Sequence, residues 1–298
     1  MLIVRAPCLS LPRKRGRGRC GVGRRDHRIG VMAATSATSA RWSLRAPGAD
    51  TFARIITGLL ILVLWEGIAR TYAPPYVARP TGVLAAIPRV MADPAFLEAT
   101  GITLSAVAWG LLISIFAGTL IGLAIGRSVA ADRMLRHYIN FFNAMPMVIV
   151  LPLVSLWFGY TGAARLATIV FAAIFSIILN TADGARAVPQ EHLEVANSFR
   201  SRRLRTIVEV VLPASTPYVL AGLRLAAGRA LIGAVVAEFF LAIGGLGYYI
   251  LFNSRTFHHN EAFVGVLLLA GFGVGFELIV HTGTRRFLPW YRRDEAME

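Results

Sequence analysis

The sequence predicts an all-α, polytopic membrane protein with six transmembrane helices. Three observations predict it. Apolar residues make up 56% of the chain and charged residues only 16%, against about 45–50% and about 25% in soluble domains. Six apolar runs approach the roughly 20 residues that a helix needs to cross a hydrocarbon core. Arginines concentrate in alternate connections between those runs, the asymmetry that sets orientation in a bilayer.

Residues 1–50 have no hydrophobic period and are rich in Arg, Gly, Ser, Ala and Thr. They read as a disordered leader, ahead of a membrane domain at 51–285 and a tail at 286–298. Arg24-Arg25 is not followed by the apolar core of an export signal. Met32 is an alternative start, which would make residues 1–31 a misassigned leader. Cys8 and Cys20 lack the paired spacing of a metal site and receive no role.

The first apolar run covers 52–72. Residues 73–100 are too polar to span, and predict an extended strip through Pro74, Pro75 and Pro80, then a helix lying at the interface. The second run is 102–126, the third 138–158 and the fourth 164–182. The fifth is 216–243 and the sixth 262–282, separated by a stretch that Gly244, Gly245 and Gly247 keep from being one helix. The leader, Arg127, Arg133, Arg136, Arg186, the arginines of 200–205, Arg285, Arg286, Arg292 and Arg293 fall on one side. The other side holds Arg79 and Arg89, offset by Asp93 and Glu98, with Arg165 and Arg255. Both termini are therefore expected in the cytoplasm, together with the charged interval 183–205.

That interval is unusual between two spans. Pro189 suits the first position of a helix, where its missing N–H costs nothing. Leu193, Ala196 and Phe199 then form an apolar ridge with Glu191, Glu194 and Asn197 beside it. A helix resting on lipid favours basic residues on its polar face. Here the acids lie on the helix and the arginines follow it, so docking into a partner's groove is the better reading.

Other chemistry is excluded or unassigned. Lys14 is the only lysine and is followed by Arg15, so no phosphate-binding loop of the G-x-x-x-x-G-K-[ST] kind exists. ATP-driven work would need another chain to hydrolyse the ATP. The net charge of +15 does not indicate nucleic acid, because the chain is too apolar for such a domain. Neither G-x-S-x-G nor H-E-x-x-H occurs. His258-His259-Asn260-Glu261 lacks a third ligand at helical spacing and reads as a solvated loop, so no metal and no cofactor are expected. Arg224, Arg229 and Glu238 lie in the fifth run. Arg224 is close enough to its start to snorkel. Arg229 and Glu238 lie deeper, either lining a path for an anionic solute or pairing with another span. Gly118, Gly122 and Gly126 form a small-residue stripe, for packing within the subunit or between two copies.

The interval also resembles the loop of ABC importer permeases written E-A-A-x3-G-x9-I-x-L-P. Glu194 takes the Glu position, Ala196 the third, Val210 the Ile position, and Leu212-Pro213 the last pair. Arg200 stands where the pattern has Gly. The likeness extends over about residues 55–285 to the subgroup importing sulfonates, taurine, nitrate and related solutes. Its carriers are Leu64-Trp65-Glu66, Thr103-Leu104, Gly126-Arg127-Ser128, Pro146, Leu151-Pro152-Leu153, Trp157-Phe158-Gly159, Gly222-Leu223-Arg224-Leu225 and Ala237-Glu238-Phe239-Phe240. The resemblance implies a non-enzymatic permease of the bacterial inner membrane. Its implied partners are a second permease copy, two ABC ATPase subunits and an external solute-binding protein. It implies alternating access, and a coupling helix carrying Glu191, Leu193, Glu194, Ala196, Phe199 and Arg200, with Leu212 and Pro213 behind it. A Gly at the Arg200 position would turn the chain through positive φ, which costs Arg about 1 kcal/mol or more. The turn is then either strained or shared by Asn197 and Ser198, and Ser201 is placed to cap the next helix. A secondary transporter or channel working without an ATPase is the alternative reading.

Overall fold

The computed structural model describes residues 47–72 and 77–287. The expectations placed on the leader, its cysteines, Pro74 and Pro75, and the tail beyond 287 lie outside the described residues.

Among the described residues, eleven helices and one π-helical turn follow in order. They are α1 (Pro47–Thr71), α2 (Pro80–Met91), α3 (Pro94–Gly126), α4 (Val129–Ala144), α5 (Met147–Phe158), α6 (Gly162–Ala187), α7 (Gln190–Ser198) and α8 (Arg203–Thr206). The π turn (Ile207–Val211), α9 (Leu212–Leu241), α10 (Leu246–Arg255) and α11 (His259–Phe287) complete the described residues. Helix α3 begins earlier than the hydropathy run suggests, because Asp93 caps it by accepting from the Ala95 N–H at 3.0 Å and Pro94 follows at a position that needs no donor.

Helix α6 is the centre. Glycines of α3 bring the two backbones together: a Cβ on Gly118 would stand 3.0 Å from Ile177, and one on Gly122 would stand 2.6 Å from Thr181. Gly126 approaches the Ala182 carbonyl. The small-residue stripe therefore packs within the subunit. On the other flank Gly222 and Gly233 of α9 meet Ile177 and Ile169 of α6. Ala226, Ala227, Ala230 and Ala234 fill the seam with Ile169, Ala173 and Ile177. Small residues on both sides allow close dispersion contact, which replaces the hydrophobic effect inside lipid.

These contacts fix directions. Along α3 and α6 the contact pairs rise together, so the helices are parallel. Along α6 and α9 one number falls as the other rises, so they are antiparallel. Two parallel spans need one return crossing between them, and α4 with α5 supplies it. Ile139 of α4 packs at the far end of α6 on Ile178 and Ala182. Leu151 of α5 packs at its near end on Ala164.

That return crossing is where the expected run 138–158 fails as a continuous span. Among the described residues, five helices are long and apolar enough to cross alone, and the pair α4–α5 bends by 98° at its break. Met145 and Pro146 are both extended there, at ψ 129° and 128°. A proline disfavours α geometry in the residue before it, which stops α4. The fifth run is also longer than expected, since helix is continuous over Arg203–Leu241, 39 residues. At about 1.5 Å per residue it outreaches a hydrocarbon core of roughly 30 Å. The π turn lies just before Pro213, with the Leu212 N–H donating to the Ile207 carbonyl five residues back.

Opposite the α7 end, α2 and α10 close the bundle with α11. Val83, Ala86 and Val90 pack there on Phe96, Leu246 and Ile250. The helix breaks at Gly244 and Gly245 after α9, and α10 follows from Leu246. From Phe52 on, α1 is nearly uncovered, touching the bundle through Trp65 on Phe263, through Glu66, which accepts from the Thr81 N–H and hydroxyl, and through the buried Ala69.

Candidate coupling surface and translocation path

Helix α7 lies across the end of α6, and its two faces differ. Leu193 and Ala196 are buried. Leu193 packs with Leu123, Ala185, Val188 and Val211, and with the half-buried Leu212 and Val210. Val195 and Phe199 are exposed, Phe199 at 83%. The ridge expected over Leu193, Ala196 and Phe199 is therefore split, because side chains at i and i+3 seat the helix while Phe199, past its last turn, swings away. The uncovered face carries Glu191, Glu194, Val195 and Phe199. It opens onto a groove lined by His192, Phe199, Arg200, Arg202, Arg205 and Glu209. Pro213 is exposed at the start of α9. Glu191 and Glu194 make no ion pair among the described residues, whereas Arg205 pairs with Glu209 at 2.9 Å.

Arg200 adopts the conformation that the motif reserves for glycine. Its φ is 51°. The Arg200 N–H donates to the Asn197 carbonyl at 2.8 Å, and the Ser201 N–H reaches back to the Ala196 carbonyl at 3.1 Å. This pair of bonds is the Schellman closure of a helix end, with a left-handed residue just past the cap. The strain is kept rather than shared with Asn197 or Ser198, and satisfies two carbonyls that would otherwise lack donors. Ser201 does not cap α8: the capping position falls on Arg202, with no side-chain bond.

Just above α7 sits a charge cluster that sequence reasoning missed. Arg136 donates to Asp132 at 2.9 Å and to Asp183 at 2.8 Å. Arg186 donates to Asp132 at 2.5 Å and to Asp183 at 3.0 Å. Each acid bridges both arginines, so α4 is tied to the last turn of α6 immediately before α7. The available signal was the spacing of Asp132 and Arg136, four residues apart on one helix face.

Glu238 sits at the opposite end and is fully buried. Its carboxylate accepts from Thr103 Oγ1 at 2.8 Å, from Arg165 Nη1 at 3.3 Å and from the Gly247 N–H at 2.7 Å. Thr103 in turn accepts from the Leu246 N–H at 2.7 Å. The carboxylate thus fills the N-terminus of α10, where free N–H groups favour negative charge. Gly245, at φ 156° and pressed against Glu238, leaves no space for a side chain. Glu238 therefore joins α3, α6, α9 and α10, and has no exposed surface from which to line a path. Its partner Arg165, in the first turn of α6, is only 13% exposed.

Arg229 and Glu238 are not brought together. Arg229 is exposed on α9, and its Nη1 donates to Asn143 through both Oδ1 and the backbone carbonyl. Arg224 pairs with Glu277 of α11. An arginine at the centre of a span costs roughly 2.5–3.5 kcal/mol on insertion scales. Arg224 offsets this with the Glu277 carboxylate, and Arg165, in the first turn of α6, is paired with Glu238. Arg229 has only the neutral Asn143 among the described residues.

A family model for binding-protein-dependent transport system inner membrane components matches residues 110–293. The aliphatic sulfonates transport permease protein SsuC of Bacillus subtilis is 31% identical over 189 residues, 63% of this chain and 68% of that protein. The nitrate import permease protein NrtB of Synechococcus elongatus is 30% identical over 194 residues, 64% and 67% of the two chains. A crystal structure of an amino acid ABC transporter with histidines shares the fold, at a TM-score of 0.52 and 17% identity, over 69% of this chain and 96% of that one. The chain belongs to the family of binding-protein-dependent transport system inner membrane components. It is a multi-pass inner-membrane permease subunit of an ABC import system.

Proposed function

We propose that two copies of this chain form the membrane pore of an importer that two ABC ATPase subunits drive and an external solute-binding protein loads. Both termini and α7 face the cytoplasm, where the arginine-rich connections accumulate. The ATPase receives the uncovered face of α7, with Glu191, Glu194, Phe199 and Arg200 at the contact. Leu193, Ala196 and Leu212 act from below by seating α7 on its own chain, and Pro213 lies beside them at the start of α9. ATP-driven closure of the ATPase pair pushes α7, and the α4–α6 charge cluster carries the push into the bundle as alternating access. The solute is a small anion, in keeping with relatives named for sulfonate and nitrate transport.

The observation that carries this reading is the division of α7 into a seated face and an open one, at the end of the helix that organises the whole bundle. The test is reconstitution. The chain, expressed with its ATPase, is expected to retain that ATPase through purification. Uptake into liposomes should require both ATP and the binding protein. Uptake by the chain alone would instead indicate a secondary transporter or a channel.

A further inference from the structure

We infer that the cavity at the α4–α5 break is a transit site for a small oxyanion carrying an apolar body. The inference rests on the transport reading and names the chemistry that the path accepts. The cavity measures about 160 Å³ and is lined by Phe142, Asn143, Phe171, Phe175 and Arg229, among others. A space of about 150 Å³ takes a benzene-sized guest, so a solute with an anionic head and a few carbons fits.

The polar end is built for an oxyanion. Arg229 spends Nη1 on Asn143, which leaves Nε and Nη2 to form the fork that guanidinium offers to two oxygens. Asn143 accepts that bond through Oδ1, so its amide N–H groups remain to donate to the same ligand. No acid lines the cavity. The opposite wall is aromatic: Phe142 stacks on Phe175 at 5.8 Å, and Phe171 meets Phe175 edge-on at 5.0 Å.

The backbone supports the same assignment independently. Met145 and Met147, on either side of the break, both line the cavity. Non-helical backbone at membrane depth is tolerated where it lines a cavity, and broken helices hold solute sites in transporters. Access is open along α9, where Arg229 and Ile232, both part of the lining, are exposed.

The test is binding of butanesulfonate, nitrate and butylamine to the purified full-length chain in detergent, by calorimetry. Butanesulfonate should bind, about tenfold tighter than nitrate, and butylamine should not. R229Q and N143D should each weaken butanesulfonate at least tenfold, with R229K intermediate because it keeps the charge and loses the fork. Wild-type affinity in either R229Q or N143D overturns the site, as does absence of binding to the wild type. Equal affinity for nitrate and butanesulfonate overturns the role of the aromatic wall. Failure of an ATPase to co-purify counts against the transport reading alone, since binding is measured on the chain by itself.

Discussion

Thr103 and Glu238 meet at 2.8 Å, from different helices, in a place that neither shares with solvent. With Arg165 and the first N–H groups of α10 they form a closed polar unit inside an apolar bundle. A buried ion pair adds little net stability, but removing one partner leaves an uncompensated charge and costs about 3–5 kcal/mol. R165Q is therefore expected to lower the thermal unfolding temperature in detergent more than E238Q. Arg165 left alone keeps the Gly244 carbonyl at 2.7 Å and some exposure, whereas Glu238 has none. The double variant R165Q/E238Q should recover part of the loss. An additive double variant would show that the two side chains do not depend on each other.

The glycine stripe of α3 gives a steric prediction. A Cβ on Gly122 would stand 2.8 Å from the Ile178 carbonyl as well as 2.6 Å from Thr181, and backbone cannot rotate aside as a side chain can. G122A should destabilise the chain by about 1–3 kcal/mol, the range for overpacked cores. G101A, at a position with nothing within 4 Å, should be neutral or slightly stabilising, because alanine is the better helix former. Equal effects of the two in thermal unfolding would contradict the close α3–α6 contact.

What could be read from sequence divides by physical range. The apolar runs, the small-residue stripe and the short helix at 190–198 follow from local periodicity and side-chain size. The motif position at Arg200 marked where a positive φ was needed, but not whether Arg200 or its neighbours Asn197 and Ser198 would supply it. The α4–α5 break was not anticipated, since hydropathy averages through Met145-Pro146-Met147. Polar partnerships were the least legible: Arg165 with Glu238 and Asp132 with Arg186 join residues 73 and 54 positions apart. No periodicity encodes such pairs. Only the cost of a charge inside a span shows that partners must exist.

Arg200 tests backbone strain apart from charge. A left-handed residue with a side chain carries roughly 1–2 kcal/mol relative to glycine, part of it offset by glycine's greater freedom in the unfolded chain. R200G is expected to slow amide hydrogen exchange at Arg200 and Ser201, whose N–H groups close the turn, by about fivefold for each 1 kcal/mol gained. R200A keeps the strain and removes the charge, so it should leave exchange unchanged. If R200A protects the turn as well as R200G does, the guanidinium rather than φ sets its stability.

The two faces of α7 predict opposite phenotypes from two truncations. Leu193 is buried among Leu123, Ala185, Val188 and Val211, so L193A should destabilise the chain by about 2–5 kcal/mol through the cavity it leaves. Phe199 is 83% exposed, and surface substitutions of this kind usually stay within about 0.5 kcal/mol. F199A should therefore unfold at the wild-type temperature and yet lose ATPase on co-purification, because exposed aromatics commonly anchor interfaces. The paired measurement separates docking from folding. An F199A chain that retains its ATPase in full would remove Phe199 from the contact, and an L193A chain as stable as wild type would contradict the seating of α7 on its own bundle.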